Sequence, residues 1–256
     1  LGELKTAKKA IRFSFCFGYG YCVYSHHWFS ESLLAFGDKL LWLYPFGLLL
    51  IPAFFALYFA VAGYLIHKFA RNNIFIIAVI WLSIELVRSY GYIEFPWFLA
   101  GYIWSDSKII SQSVSLFGIW GLSFLTIIWA GAIKEIILRR NFSIISIAFI
   151  SFISCYIYGQ HHLDSPLTSQ DIKVRIIQAN LDQNADSRSN NRYDNLLKHI
   201  ELSQSAKDFD YIIWPEGAIE YNMSDSLLDL VKLASPTDGS LILSSNRIQQ
   251  TPAKHF

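Results

Sequence analysis

Apolar and polar positions follow two different rhythms along this chain, and the change falls near residue 160. Before it run five long apolar stretches, at residues 13–29, 40–66, 74–90, 116–137 and 142–158, divided by short polar and basic segments. A helix needs about 20 residues to cross the hydrocarbon core, with a range of about 17 to 25, so these lengths predict five membrane-crossing helices. Beyond residue 170 the apolar runs shorten. Residues 172–178 alternate and predict a strand, 193–206 an amphipathic helix, 211–214 a buried strand, 226–234 a second helix and 240–244 a third strand. That order predicts an α/β domain with helices covering a sheet. The expected organisation is a transmembrane domain over 1–159, a polar linker over 160–170 and an α/β domain over 171–256.

Composition sharpens this picture. A chain of 256 residues that is 53% hydrophobic and 16% charged is too apolar for an ordinary soluble domain. Its formal net charge of +1, without a clustered basic surface, excludes nucleic acid as a partner and leaves membrane lipid or lipid-linked molecules. Lys5, Lys8, Lys9 and Arg12 precede the first stretch, His67, Lys68 and Arg71 follow the second, and Lys134, Arg139 and Arg140 end the fourth. With alternating crossings these clusters share one side, which the positive-inside rule makes cytoplasmic. Residues from Gln160 onward are then expected outside, which in a diderm bacterium is the periplasm. Trp28, Trp42, Trp97 and Trp104 lie at stretch ends, where interfacial aromatic belts form.

Few residues carry a chemical signal. Cys16, Cys22 and Cys155 lie in apolar runs without metal spacing and read as packing residues. His26 and His27 are adjacent and point apart on a helix; with His161 and His162 they give no metal site, and no phosphate-cradling glycine motif implies a cofactor. Gly18, Gly20, Gly118 and Gly121 read as helix-packing positions. Glu85 and Arg88 stand three apart on one helical face near its outer end. Charges in a membrane helix default to function. Two readings stay open: an intrahelical ion pair tethering the loop through Phe95, Pro96 and Trp97, or contact with a lipid headgroup, since a guanidinium binds phosphate bidentately. Glu216 directly follows an apolar strand, where open α/β sheets hold their sites, and a carboxylate there suits a general base. Trp214 and Pro215 stiffen the turn that aims it.

The run from Asp210 to Ile219, with Trp214-Pro215-Glu216-Gly217 at its centre, resembles the catalytic-glutamate segment of the apolipoprotein N-acyltransferases, a membrane branch of the nitrilase superfamily. Residues 174–180, closing on Gln178 and Asn180, are similar to that family's first nitrilase strand. Trp81, Glu85, Arg88 and the Phe95-Pro96-Trp97 loop are similar to its characteristic helix end and extracytoplasmic loop. The resemblance implies a polytopic α-helical membrane domain followed by a partial nitrilase-like domain of four-layer αββα type. It implies a Glu-Lys-Cys triad in which the cysteine takes an acyl group from a phospholipid as a thioester and the lysine stabilises the oxyanion. The acyl group then passes to the α-amino group of a diacylglyceryl-cysteine at an apolipoprotein's N-terminus. Glu216 corresponds to the base; Glu85, Arg88, Pro96, Trp97 and Trp214 are candidates for substrate or lipid contact.

The triad's lysine and cysteine are expected beyond Glu216, the lysine among Tyr, Lys, Pro and Glu. Neither setting occurs before Phe256, and Lys254 stands in Thr251-Pro252-Ala253-Lys254, which lacks it. The loop 184–187 also lacks the tryptophan usual in the family after the first strand. The chain, with Met223 as its one methionine, is thus expected to be truncated and inactive alone, unless a separate chain carries the rest of the catalytic domain. Rival readings are an inactive remnant, a membrane-tethered nitrilase-type amidase, and a transporter, for which only Pro45 and Pro52 hint at a broken helix.

Overall fold

The computed structural model describes residues 6–34, 40–138, 141–166, 171–181, 191–204, 208–219 and 225–244. Helices form at each of the five apolar stretches: α1 (Ala7–Glu31), α2 (Tyr44–Leu65), α3 (Ile74–Tyr90), α4 (Val114–Leu138) and α5 (Phe142–Asp164). Three of their starts, those of α1, α3 and α5, are capped by short polar side chains. Thr6 accepts from the Lys9 amide, Asn73 from those of Phe75 and Ile76, and Asn141 from that of Ile144.

Three stretches, Leu41–Ala70, Ile110–Leu138 and Phe142–Asp164, are long and apolar enough to cross a membrane. The expectation of five is broader than that set. α1 carries Lys8, Lys9, Arg12 and Glu31 at its ends and polar Ser14, Ser25, His26 and His27 along its length. α3 has 17 residues and includes Glu85 and Arg88. α5 in turn continues past Tyr158 into the region read as linker, through His161 and His162, because loss of apolarity ends a membrane crossing without ending a helix.

In α1 the buried positions are Ala10, Ser14, Gly18, Cys22, His26 and Ser30, a strict i+4 row that packs against α2. A Cβ at Gly18 would collide with the Phe59 ring, and one at Gly63 with Ser14. Small residues here let two backbones approach closely. A second core joins α3, α4 and α5 through Ile74, Ala78, Leu122, Ile128, Trp129, Ala132, Ala148 and Cys155. Indole N–H groups find partners within it: Trp104 donates to Thr126 at 2.9 Å and Trp129 to Ser151 at 2.9 Å.

Helix α4 is interrupted near its start, at Phe117 (φ −139°) and Gly118 (φ 68°, ψ 177°). Gly118 was expected to serve packing, yet a Cβ there would meet nothing within 4 Å. Its requirement is conformational, a left-handed φ that lets the chain change direction.

A second unit, described from residue 171 onward, holds three short parallel strands in the order β1 (Val174–Ile176), β2 (Tyr211–Ile213), β3 (Ser240–Ile242). Val174 pairs with Tyr211, and Tyr211 with Ser240. Helices α6 (Arg192–Gln204) and α7 (Asp225–Lys232) connect them, as parallel pairing requires. Their apolar faces close a core of Ile177, Leu196, Ile200, Ile212, Trp214, Val231 and Ala234. The loop segment 184–187 and Lys254 lie outside the described residues.

Candidate functional site

Two places carry the residues singled out by sequence, one in each unit. In the helical unit, Glu85 and Arg88 face inward from α3 at 5% and 3% exposure. Ions this deeply buried require partners. Glu85 Oε1 accepts from Trp81 Nε1 at 2.9 Å and from the Ala100 amide at 2.7 Å. Arg88 Nη2 donates to the carbonyls of Trp97 at 2.7 Å and Phe98 at 3.2 Å. No direct Glu85–Arg88 ion pair forms within 4.0 Å among the described residues; spacing set both charges on one face, but each reaches the loop separately.

That loop is strained. Glu94 and Phe98 have φ of 48° and 57°, a region a bulky aromatic rarely enters. Phe98 is held there from several sides. Its carbonyl accepts from Arg88 and from the Tyr21 hydroxyl at 3.1 Å, and its ring lies 4.5 Å from that of His26. His26 also stacks on Phe55 at 4.7 Å and Phe95 at 5.6 Å. Pro96 and Trp97 remain exposed at the tip of the loop, with Trp97 5.4 Å from Trp28. A narrow cleft behind the loop is lined by Tyr58, Phe59, Trp81, Glu85, Arg88 and Phe98.

In the second unit, β2 ends at Ile213 and the chain turns through Trp214, Pro215, Glu216 and Gly217. Trp214 points into the core at 3% exposure; its Nε1 donates to Ser203 Oγ at 2.8 Å and its ring lies 5.2 Å from His199. Its amide donates to the Ile242 carbonyl at 2.9 Å, which pins the turn to β3. Gly217 follows with φ 74°, a conformation suited to glycine. Glu216, between these fixed points, is exposed at the rim of an open depression of about 590 Å³ lined by Trp214, Gly217, Ile219, Ile242, Leu243 and Ser244. Sites of open α/β sheets gather at the carboxyl ends of their strands, and a carboxylate there is within reach of a group seated in the depression.

Cys16 is exposed, while Cys22 and Cys155 are buried; all three are free thiols of the helical unit. Among the described residues no cluster of three or more His, Cys, Asp or Glu side chains could hold a metal ion. Trp28 and Tyr21, which frame the loop with Trp97 and Phe98, were not singled out as site residues. Their signal was the spacing of aromatics along α1.

A helical unit with membrane-length apolar helices, followed by an α/β unit with a carboxylate at a strand end, defines a membrane-associated α/β protein. The apolipoprotein N-acyltransferase N-terminal domain family matches residues 2–132, and the chain belongs to that family. An apolipoprotein N-acyltransferase of Rickettsia bellii (strain RML369-C) is 30% identical over 247 residues, covering 93% of this chain and 49% of the relative. One of Rickettsia typhi (strain ATCC VR-144 / Wilmington) is 30% identical over 91% of this chain and 49% of the relative. One of Vibrio cholerae serotype O1 is 25% identical over 98% of this chain and 51% of the relative. The chain therefore spans about half the length of the curated relatives it matches.

Proposed function

We propose that this chain is the membrane portion and the first part of the catalytic domain of an acyltransferase that moves an acyl chain from a phospholipid to the α-amino group of an apolipoprotein's N-terminal diacylglyceryl-cysteine. The observation that supports this reading is the match to the family, by its N-terminal domain over residues 2–132 and by a relative aligned over 93% of the chain. Glu216 is the general base. Its place after β2, fixed by the Trp214 amide bond to β3 and by the Gly217 turn, holds a carboxylate at the edge of a depression open to a reacting group. A nucleophilic thiol and an oxyanion-stabilising lysine complete the triad that the resemblance implies, and both would come from the half of the relatives' length that this chain does not span.

The membrane-length helices anchor the enzyme in the bacterial inner membrane, where its acyl donor resides. The basic clusters favour a cytoplasmic position for the α2–α3 and α4–α5 connections, and the catalytic domain then works on the periplasmic side.

The test is reconstitution. The chain is co-expressed with a polypeptide supplying the second half of the Rickettsia bellii relative, inserted into phospholipid vesicles and given a diacylglyceryl lipopeptide. N-acylation is expected from the pair, with none from the purified chain alone. Glu216→Gln is expected to reduce the rate by about 10²- to 10⁴-fold. Acylation by the chain alone, or an unimpaired Glu216→Gln pair, overturns the assignment.

A further inference from the structure

Two groups of one residue tie the Glu216 turn to two different elements. The Trp214 amide donates to the Ile242 carbonyl of β3 at 2.9 Å, and the Trp214 indole N–H donates to Ser203 Oγ of α6 at 2.8 Å. Ser203 is prepared for this by its own helix. Its hydroxyl donates to the His199 carbonyl at 2.8 Å, a back-bond to the preceding turn that fixes the hydroxyl and leaves its lone pairs to accept the indole. One turn earlier the row repeats. His199 Nδ1, which carries the proton because it faces a carbonyl, donates to Asn195 O at 2.7 Å, and the imidazole so held lies 5.2 Å from the indole ring. Ser203 and His199 are each 1% exposed, so an indole N–H cut off from Ser203 would be buried without a partner. Direction then passes from Trp214 to Glu216 along a short stiff path. Pro215 has a fixed φ, and Gly217, at φ 74°, closes the turn as the Ala218 amide donates to the Pro215 carbonyl at 3.3 Å.

We infer that Ser203 is a positioning residue for Glu216: its hydrogen bond to the Trp214 indole, backed by the His199 ring, holds the turn in the orientation that presents the carboxylate to the depression. The inference deepens the reading of Glu216 as general base and rests on it. Neither Ser203 nor His199 lines the depression, whereas Trp214 and Glu216 both do, so the two α6 residues act through Trp214. The amide bond to β3 alone fixes where the turn starts. The indole bond to α6 adds a second, non-collinear anchor, and with it the direction in which the chain leaves Trp214.

The turn is read first in the full chain in detergent micelles, by electron paramagnetic resonance of a nitroxide on Glu216→Cys with Cys16→Ser, Cys22 and Cys155 being buried. A slow label is expected. Ser203→Ala should shift it to faster motion, and Ser203→Thr, which keeps the hydroxyl and its back-bond, should return it. Trp214→Phe keeps a ring in the core and removes the N–H; it should give the same shift, with no further change when Ser203→Ala is added, and it serves where Ser203→Ala does not fold. With Glu216 restored and the second half of the relative supplied as above, Ser203→Ala should lower kcat about 10- to 100-fold at unchanged KM, and Ser203→Thr should recover most of it. A label unmoved by both Ser203→Ala and Trp214→Phe overturns the inference, as does a moved label with kcat unchanged. A lower unfolding midpoint with neither effect also overturns it, because Ser203 is then a packing residue alone. Failure of the wild-type pair to acylate counts against the proposed function, and the label in the chain alone still decides whether Ser203 sets the turn.

Discussion

Two carboxylates illustrate opposite uses of the same group. Glu85 is buried in the helical unit with one oxygen bonded twice and a guanidinium one helical turn away. Glu216 is exposed at a turn in the second unit, beside an open depression. The first is tied by what surrounds it, and its charge fixes a loop. Around the second the backbone is fixed and the side chain is left available. A buried ion with partners is therefore read as architecture, and an exposed one on a rigid turn as chemistry, even though sequence proposed both for function.

The largest effect expected from this contrast is on folding. Arg88→Met leaves Glu85 buried without a nearby cation and the Trp97 carbonyl without its donor, while Phe98 keeps the Tyr21 hydroxyl, and should cost about 1 to 3 kcal/mol in unfolding free energy, measured by denaturation in detergent micelles. A loss under about 1 kcal/mol would mean that water reaches the clamp and that the two carboxylates differ less than their burial indicates. Glu216→Gln, by contrast, should leave stability within about 0.5 kcal/mol in the same measurement. A larger change would make Glu216 part of the architecture.

The smallest effect is electrostatic. Lys173 donates to Asp208 at 2.8 Å on the surface of the second unit. That bond lowers the Asp208 carboxyl below its ordinary range and raises the Lys173 ammonium above its own. The carboxylate's contribution is complete above its unfolded value of about 3.9 and is lost as pH falls through the lower folded value; the ammonium's is complete below about 10.4 and is lost as pH rises through the higher one. Amide exchange in β1, corrected for its intrinsic pH dependence, should therefore be level between about pH 5 and pH 9. A small acid-side loss of protection should disappear in Asp208→Asn and in high salt.

Much of this was legible in the chain. Ile74–Tyr90 is helical over the span its apolarity marks, because Asn73 caps it and Gly91 follows it. The three strands fall within the runs read as strands from alternation at 172–178 and from apolarity at 211–214, with 240–244 the third, but pair over fewer residues, three each, since pairing depends on neighbours distant in sequence. Trp214, read as a lipid-contact candidate, lies in the core, where its indole finds Ser203, a partner eleven residues away that no local pattern names. The left-handed Phe98 was illegible for a plainer reason: no residue type signals that a large aromatic will be forced into that region by contacts from Tyr21, His26 and Arg88.

The dependence of α3 on the loop that follows it has a temporal meaning. Trp97, Phe98 and Ala100 supply the groups that bond Arg88 and Glu85, and all three are synthesised after the helix that carries those charges. Until those residues are made, both ions lack these bonds, and a buried charge without partners is costly. Helix α3 would thus reach its final packing only once residue 100 has been made, so that the loop acts first as a companion to folding and afterwards as part of the finished surface.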